Sequence, residues 1–248
     1  MEKNGTLDQA IPAKQKRGEA NRVRMILAAE RLFASQGIEG VSIREIGAEA
    51  KQANSNAVQY HFGTKAGLLH AIFDYRVAQM EPARQKLLVH AEEAGRLQDM
   101  RTLTDVLLLP YLDLVDEQGK HNYAVVMTEY MTRYRPRGVP HAGDELTEKS
   151  ASLRRLVSLI ERRISYLDPA LARSRMDICH LMFFNMLVIW DKDYRPVSKR
   201  PPLRIFVEDA LQMVTITFCL PEPTPIDWKG LVGKDPQASC GVLTWPRP

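Results

Sequence analysis

Apolar residues recur at helical spacing through almost the whole chain, and this pattern limits the possible folds more than any other feature. Helices are predicted at about residues 19–37, 42–50, 54–61, 64–80, 82–97, 101–117, 120–134, 144–166, 169–193 and 202–218. The competing strand signal runs from Val214 to Leu220, but a lone strand would have no partner for its backbone. The sequence therefore predicts an all-α fold.

The two ends of the chain differ in composition from the helical middle. Residues 1–18 contain few apolar side chains, and we expect a flexible arm there with the basic residues Lys14, Lys16 and Arg17. Residues 220–248 contain six prolines and three glycines, which disfavour long helices and central strands. We expect a Pro-rich tail over these residues.

Composition excludes several classes of protein. The 248 residues are 45% apolar and 26% charged, enough for one or two compact domains. The best apolar run, Ile178 to Trp190, stops at 13 residues and is interrupted by His180 and Asn185, whereas a membrane span requires roughly 18 apolar residues. The N-terminus is charged and polar, unlike a secretory signal, and Cys179, Cys219 and Cys240 have no CxxC spacing. We expect a cytoplasmic protein without membrane contact, disulfides or a zinc ribbon.

Catalytic and metal sites are not indicated by the sequence. Cys179 and His180 are neighbours, about 100° apart on a helix, and do not face each other as nucleophile and base. The six histidines include no HxxxH or HExxH pair. We expect no enzyme activity, no catalytic residue, no metal and no cofactor.

The first 65 residues carry a net charge of +3, against +1 for the rest of the chain. In the first helix an apolar face is expected at Val23, Ile26, Leu27 and Phe33, with Glu30 lying largely elsewhere. Gly37 suits the left-handed residue that ends a helix. The second helix opens with Ser42-Ile43-Arg44-Glu45, a capping box.

The third predicted helix is short and mostly polar. Asn54 or Ser55 can cap it, Val58 and Phe62 can anchor it inward, and Gly63 ends it before Thr64 caps the next helix. A tight turn between two short helices, braced by another helix, is typical of the helix-turn-helix motif, whose second helix enters the DNA major groove. The side chains of Asn, Gln and Ser can form hydrogen bonds with the edges of the bases in that groove. An ordinary polar surface helix is the alternative.

Three segments resemble the TetR family of bacterial transcriptional regulators. They are ILAAERLFASQG at residues 26–37, VSIREIGAEA at 41–50 and YHFGTKAGLL at 60–69. In order, they resemble the family patterns "A..LF...G", "[TS].R.IA..A" and "Y.HF..K..LL". The resemblance covers roughly residues 20–75, under a quarter of the chain.

The turn of the predicted motif departs from the family. The family usually has Ala-Gly-Val there, whereas this chain has Ala50-Lys51-Gln52-Ala53, which is one residue longer and lacks glycine. We therefore expect Lys51 or Gln52 to adopt the positive φ that glycine takes without strain.

The resemblance implies which residues contact DNA. The family's base-facing positions correspond to Ser55, Asn56 and Gln59, and its phosphate-contacting positions to Tyr60, His61 and Lys65. Ser42, at the start of the second helix, can offer its amide and hydroxyl to a phosphate.

The resemblance also implies a divergent helical domain for dimerisation and inducer binding. The expected domains are the arm at 1–18, a three-helix DNA-binding domain at 19–65, the helical domain at 66–219 and the tail at 220–248. The helix from Ala170 to Trp190 is apolar on nearly all sides from Ile178 onward, so it must be covered on two faces. We expect one face to pack against a second copy, with the helix from Glu145 to Tyr166 completing a four-helix bundle. The alternative is a central helix of a monomeric core.

A ligand site in this domain is predicted from residue types alone. Met182, Met186, Tyr130 and His180 are among the soft apolar and hydrogen-bonding side chains of the region. The candidates for ligand contact are Tyr123, Met127, Met131, Phe183, Phe184 and Asn185. The alternative is that these side chains only fill the core. A ligand bound by them would be mainly apolar, with one or two polar groups.

The expected function is that of a homodimeric repressor that binds a palindromic DNA operator and is released by a small, mainly apolar effector. The helix from Thr64 to Met80 is the expected lever between ligand and DNA. One alternative is a DNA-binding protein without a small-molecule switch, acting architecturally or under a protein partner. The other is an all-α enzyme with a similar N-terminal motif.

Overall fold

The computed structural model describes residues 13–52, 54, 56–141, 144, 150–193 and 195–224. Within these ranges the secondary structure is helical and no strand occurs, which confirms the all-α prediction. The α-helices are α1 (Ala13–Gln36), α2 (Ile43–Glu49), α3 (Ala57–Phe62), α4 (Lys65–Glu93), α5 (Met100–Leu108), α6 (Asn122–Glu129), α7 (Ala151–Arg163), α8 (Pro169–Lys192) and α9 (Leu203–Cys219). None of these helices is long and apolar enough to cross a membrane.

Both ends of the chain extend beyond the described residues. Helix α1 begins at Ala13, so residues 13–18 of the expected flexible arm are helical. Residues 1–12 of the arm and 225–248 of the Pro-rich tail lie outside the description. The alternative strand from Val214 to Leu220 is wrong, because α9 continues through this segment to Cys219.

Two helices predicted at 64–80 and 82–97 form the single helix α4, which contains Pro82. Proline lacks the N–H that would bond to the carbonyl of Ala78, and it normally ends or kinks a helix. Here Met80 and Arg84, on either side of Pro82, are buried in the body of the protein. Tertiary packing of α4 therefore outweighs the local helix-breaking tendency of the proline.

The helices that follow are shorter than expected. Helix α5 stops at Leu108, and a 3₁₀ turn from Leu109 to Asp113 surrounds Pro110, where a helix to residue 117 was expected. Helix α6 stops at Glu129 and widens into a π-helical turn, Tyr130–Tyr134, where one continuous helix was expected. Helix α7 begins at Ala151, later than the predicted residue 144.

One hydrophobic core runs through the described helices from α1 to α9. Helix α1 packs against α2 and α4, and it also contacts α6 of the C-terminal helices. Helix α7 packs on α4 and α5, while α8 lies against both α6 and α9. The N-terminal three helices are therefore joined to the body through α4 and through the contact between α1 and α6.

A buried ion pair strengthens the first of these connections. Arg76 of α4 donates from Nε and Nη2 to the two carboxylate oxygens of Glu30 in α1, at 2.7 and 2.6 Å. Both side chains are almost inaccessible to solvent. The expectation that Glu30 lies away from the buried face of α1 is wrong, because its partner comes from a distant helix.

Candidate nucleic-acid interface and internal cavity

Helix α2 begins with the capping box that the sequence predicts. The Ser42 hydroxyl accepts from the Glu45 amide at 3.2 Å, and the Ser42 amide donates to Glu45 Oε2 at 2.7 Å. These hydrogen bonds to Ser42 lower the pKa of Glu45, so its carboxylate is charged at neutral pH. Two of the amides at the helix start are satisfied in this way.

The turn after α2 closes on Lys51. Lys51 has a φ of 52°, and it is the sole non-glycine residue with positive φ in the described part of the chain. Its amide donates to the carbonyl of Ala48 at 3.0 Å, and the Gln52 amide donates to the carbonyl of Gly47 at 3.0 Å. The expectation of a positive φ at Lys51 or Gln52 is confirmed, with Lys51 as the residue.

Helix α3 follows this turn and is anchored on one side only. Val58 is buried, and Arg22 of α1 lies over the Phe62 ring at 5.3 Å from its centroid. The helix starts at Ala57, later than predicted, with Asn56 at the N-cap position and no side-chain capping bond. Asn54 lies just before the helix, and its Oδ1 accepts a hydrogen bond from the Asn56 amide at 2.9 Å.

The junction between α3 and α4 depends on two glycines. Gly63 has a φ of 68° and ends α3, as predicted, and the Thr64 hydroxyl then accepts from the Gly67 amide at 3.0 Å to cap α4. A Cβ atom at Gly67 would lie 2.2 Å from the carbonyl oxygen of Phe62. This close approach constrains the direction of α3 relative to α4.

The predicted DNA contacts of α3 lie on one exposed surface. Asn56, Gln59 and His61 are exposed, and Tyr60 is 86% exposed with its ring edge-on to His61 at 5.3 Å. Ser55 lies outside the described residues. The side of α3 opposite Val58 therefore carries amide, phenol and imidazole groups with no protein covering them in the described part of the chain.

Ser42 is exposed at the start of α2. Contrary to the prediction, its amide is not available to a phosphate. That N–H already donates to Glu45, because the capping box uses it. The hydroxyl hydrogen is the remaining donor of this residue. Arg44, also exposed in the first turn of α2, adds a positive charge that the sequence prediction did not include.

Lys65 is the first residue of α4 and is held by the loop between α1 and α2. Its Nζ donates to the carbonyl of Glu39 at 3.2 Å and lies 3.8 Å from Oε2 of the same residue. Glu39 in turn accepts from the Tyr134 hydroxyl at 2.8 Å. The sequence prediction missed Glu39 and Tyr134, because local spacing does not relate residues so far apart.

A cavity of about 660 Å³ lies among the C-terminal helices. Its walls come from α5 to α8 and from the π-helical turn, and they include Leu107, Tyr111, Met127, Tyr130, Met131, Leu153, Val157, Met176 and His180. Charged residues occur on one side, where Arg135 pairs with Asp144 at 3.0 Å and with Asp177 at 3.3 Å. The cavity is therefore mainly apolar with a few polar groups.

The predicted ligand residues divide into two groups. Met127 and Met131 line the cavity, whereas Tyr123, Phe183, Phe184 and Asn185 do not. The two phenylalanines and Tyr123 are buried in the core, where the Tyr111 ring packs against Phe184 and Tyr123. Asn185 donates to the carbonyl of Leu181 in its own helix.

Two neutral histidines contribute to the cavity wall. Burial, with the nearby charge of Arg135, lowers the pKa of His141 to about 3, and burial also lowers the pKa of His180. His180 Nδ1 lies 2.9 Å from the carbonyl of Met176, which can only accept. Nδ1 therefore carries the hydrogen, and Nε2 of His180 is an acceptor at neutral pH.

Helices α8 and α9 share an exposed apolar face. On α8 it consists of the exposed Ile178 and Ile189 with the half-buried Met182 and Asn185 between them. On α9 it consists of the exposed Ile205, Met213 and Ile216, with Leu220 directly after the helix. Successive members are three or four residues apart, except for the eight residues between Ile205 and Met213, so each set forms a stripe along its helix. The Thr217 hydroxyl lies 3.8 Å from Met182 Sδ, which joins the two helices.

Helix α7 does not contribute to this face. Its apolar residues Leu153, Leu156, Leu159 and Ile160 are buried against the body, and its other side is charged. The expectation that the segment from Glu145 to Tyr166 completes a four-helix bundle with a second copy stays a prediction, which the inward packing of α7 on α4 and α5 does not favour.

Among the residues that the structure describes, no group of three or more His, Cys, Asp or Glu side chains is placed to hold a metal ion. Burial raises the pKa of the Cys179 thiol to about 12, so this cysteine is a thiol at neutral pH.

Comparison with known proteins supports the sequence resemblance. Residues 26–72 match the family model described as bacterial regulatory proteins, tetR family. No curated protein matches the chain.

Several solved structures are similar to the chain. AibR, solved with isovaleryl coenzyme A and operator DNA, is 18% identical, with a TM-score of 0.41 over 78% of this chain and 97% of that one. NalD from Pseudomonas aeruginosa, a secondary repressor of the MexAB-OprM multidrug efflux pump, is 22% identical, with a TM-score of 0.42 over 80% and 96%. PfmR from Thermus thermophilus, a TetR family regulator, is 15% identical, with a TM-score of 0.41 over 79% and 97%.

The matched residues include α2, α3 and the start of α4. Over residues 26–72, which include the exposed polar surface of α3, the chain is similar to bacterial regulatory proteins of the tetR family.

Proposed function

We propose that the protein is a homodimeric repressor that binds a palindromic operator and leaves it when a small, mainly apolar effector fills the cavity. It acts in the cytoplasm, where bacterial operator DNA lies. The observation that carries the proposal is the exposed polar surface of α3 above buried Val58, next to a separate apolar cavity in the same chain.

The base-reading part of the proposal concerns Asn56 and Gln59. Both amides are exposed on α3, and an amide side chain can form two hydrogen bonds with the edge of an adenine in the major groove. Ser55 is proposed as a third base contact on the resemblance alone.

Phosphate contacts are proposed at the borders of this surface. Tyr60 and His61 project from α3, Lys65 from the start of α4, and the Ser42 hydroxyl from the start of α2. Such contacts fix the orientation of the protein on the duplex without reading its sequence. The carboxylate of Glu45 beside Ser42 opposes a closely bound phosphate, so Ser42 is the weakest contact of this set.

Dimerisation is proposed through the shared face of α8 and α9. Two copies of this helix pair would form a four-helix bundle and cover Ile178, Ile189 and Ile216, each more than half exposed in the single chain. A two-fold axis through this bundle gives two α3 helices, as a palindromic site requires.

The proposed effector is defined by the cavity. The apolar walls favour a hydrocarbon body, and Nε2 of His180 favours a hydroxyl or amide N–H donor on the effector. Effector binding must favour a conformer that fits DNA poorly, and a preference of about 1–3 kcal/mol would change the operator affinity roughly 5- to 150-fold.

The experiment that tests the DNA-binding proposal is selection of duplexes from a random library with the purified protein, followed by salt titration on the enriched duplex. An enriched inverted repeat is the expected result. Enrichment of no sequence, with only weak salt-sensitive binding, would contradict the proposed operator function.

Two variants then separate base from phosphate contacts. Gln59→Ala is expected to relax the selected sequence at one position per half-site, with a loss of about 1–3 kcal/mol of discrimination. Lys65→Ala is expected to weaken all duplexes alike and to lower the salt dependence by about one ion per protomer.

Each variant has a matched control on the exposed side of α4. Gln85→Ala and Lys86→Ala remove the same side-chain types about 30 Å along the helix from Lys65, and neither is expected to change DNA binding. Equal effects of a variant and its control would remove the assigned role.

A DNA-binding protein without a small-molecule switch remains the second candidate. The cavity favours the switch, and a screen of apolar compounds bearing one hydroxyl or amide group for release of the selected duplex tests it. Operator affinity unchanged by every compound that raises the unfolding midpoint would favour the second candidate.

A further inference from the structure

The π-helical turn that follows α6 has one side on the cavity and one on the N-terminal domain. Tyr130 and Met131 line the cavity, as does Arg135 directly after the turn. The Arg135 amide donates to the carbonyl of Tyr130, five residues earlier, which defines the wide turn. Pro136 prevents an ordinary helical continuation, because its ring would meet the carbonyl of Thr132.

The other side of this turn contacts the loop between α1 and α2, residues 37–42. Glu129 Oε2 accepts from the Ile38 amide at 3.0 Å. Gly37, with a φ of 79°, lies directly against the same carboxylate, since a Cβ there would be 3.6 Å from both oxygens. The Tyr134 hydroxyl donates to Glu39 Oε1 at 2.8 Å. Two consecutive loop residues, Ile38 and Glu39, are therefore hydrogen-bonded to Glu129, directly before the turn, and to Tyr134, its last residue.

The loop in turn supports proposed DNA contacts at both of its ends. Glu39 holds the Lys65 ammonium through its carbonyl at 3.2 Å and its carboxylate at 3.8 Å. Ser42, three residues after Glu39, is the N-cap of α2. Movement of Glu39 would therefore change the position of Lys65 and the start of α2 together.

We propose that Glu129, Tyr134 and Glu39 are positioning residues that hold Lys65 and the start of α2 for DNA binding, and that they transmit occupancy of the cavity to these groups. The inference rests on the proposed function, because it assigns the residues through which the cavity acts on DNA. None of the three needs to touch DNA or effector.

The physical basis is the wide geometry of the π-helical turn. A π-helical turn contains one more residue than the corresponding α-helical segment, and each residue of an α-helix corresponds to about 100° of rotation and 1.5 Å of rise. An effector that packs on Met131 and Tyr130 and changes this turn would rotate Glu129 and Tyr134 relative to the loop. Because the coupling between two binding sites is reciprocal, DNA that binds Lys65 would lower the affinity of the cavity for such an effector.

The test uses a side chain as the occupant, so it needs no known effector. Ala172 lines the cavity from α8, and Ala172→Trp places an indole in the space of about 660 Å³. We expect this variant to bind the selected operator at least about fivefold more weakly than the unmodified protein. Its salt dependence should fall by about one ion per protomer as Lys65 withdraws, which a loss of folded protein alone would not produce.

Ala172→Trp is then made in a protein that lacks the hydrogen bond from Tyr134 to Glu39. Tyr134→Phe keeps the ring and removes only the hydroxyl that holds Glu39. By itself it is expected to weaken operator binding by about two- to tenfold, the value of one hydrogen bond, because Glu39 loses one of its anchors. Adding Ala172→Trp should then weaken binding by less than about twofold, because the two substitutions act through one connection.

A second tyrosine provides the matched control. Tyr166→Phe removes a hydroxyl that donates to the carbonyls of Phe218 and Leu220, away from the loop, and the full effect of Ala172→Trp should persist in that background. Equal weakening by Ala172→Trp with and without Tyr134 would overturn the proposal, and so would no weakening in the unmodified protein. Failure of the unmodified protein to select any duplex would instead refute the proposed function itself.

Discussion

Glu30 and Arg76 illustrate how single residues join the two parts of this molecule. Their bidentate hydrogen bonds are buried between α1 and α4, so neither charge is screened by water. An exposed pair of the same types, Arg31 with Glu49, joins α1 to α2 at 3.1 Å. The two pairs have similar chemistry and differ in burial.

Arg76→Ala is expected to lower the free energy of unfolding by about 3–5 kcal/mol, because it leaves the Glu30 carboxylate buried without a partner. Arg31→Ala, the control, is expected to cost no more than about 1 kcal/mol, since its pair is exposed. Urea unfolding of both variants measures the difference. Equal losses would show that burial of the first pair is not what stabilises the contact.

Lys51 carries backbone strain in the turn before α3, since its φ is 52°. Lys51→Gly removes the steric cost of a left-handed residue, and we expect a gain in unfolding free energy of up to about 1 kcal/mol. Gln52→Gly is the control and is expected to be destabilising, because it removes the hydrogen bond from Gln52 to the carbonyl of Ala50. Loss of stability in Lys51→Gly would mean that the turn tolerates lysine without strain.

At the scale of elements, the position of α3 depends on its contact with the start of α4. Helix α3 has six residues, too few to be stable by itself, so its neighbours determine its direction. Gly67 allows the chain ends of the two helices to approach closely, and Gly63 and Thr64 complete the junction. The polar surface of α3 is therefore displayed by packing.

Gly67→Ala is expected to displace α3, because the new Cβ would lie 2.2 Å from the carbonyl oxygen of Phe62. We expect a destabilisation of about 1–3 kcal/mol and a clear loss of operator affinity, measured by urea unfolding and DNA titration. Gly18→Ala in α1 is the control: nothing lies within 4 Å of its Cβ, so it should stabilise by about 0.5–1 kcal/mol. Unchanged affinity in Gly67→Ala would contradict the assigned role of this junction.

At the scale of the whole molecule, the apolar face of α8 and α9 and the buried histidines have consequences for assembly and stability. The face lies on two adjacent helices at the side of the body. His141 and His180 line the cavity in their neutral forms.

Ile216→Glu places a charge in the centre of the proposed dimer surface, and we expect a monomer by sedimentation with the helical content retained. Val89→Glu, at an exposed position of α4, is the matched control because Val89 is also an exposed β-branched residue. This variant is expected to remain a dimer. A dimer that survives Ile216→Glu would require another interface.

Stability is expected to fall as the pH is lowered below about 6.5. The unfolded chain protonates His141 near its ordinary pKa of 6.5, whereas the folded protein keeps that pKa at about 3. Between these two pKa values, proton binding to His141 favours the unfolded state. For this group the free energy of unfolding falls by at most about 1.4 kcal/mol for each pH unit.

Urea unfolding between pH 7 and about pH 5 measures this slope, and His141→Gln should reduce it. His90→Gln, at an exposed position of α4, is the control and should leave the slope unchanged. A slope that is the same in all three proteins would show that His141 is not responsible.

The sequence by itself determined the features whose partners lie within about four residues. The capping box of Ser42 and Glu45, the left-handed glycines Gly37 and Gly63, and the Thr64 cap all depend on local backbone geometry. For the same reason, the all-α class and the helix-turn-helix were predictable from residue spacing.

Only the tertiary structure decided which distant surfaces meet. Glu30 and Arg76 are 46 residues apart, and Glu39 and Tyr134 are 95 apart, so spacing along the chain contains no signal for either contact. Packing likewise placed Phe183 and Phe184 in the core instead of the cavity, and it gave the exposed apolar face to α9 instead of α7. An apolar side chain is suited equally to a core, a cavity or an interface, and the helices around it determine which of these it occupies.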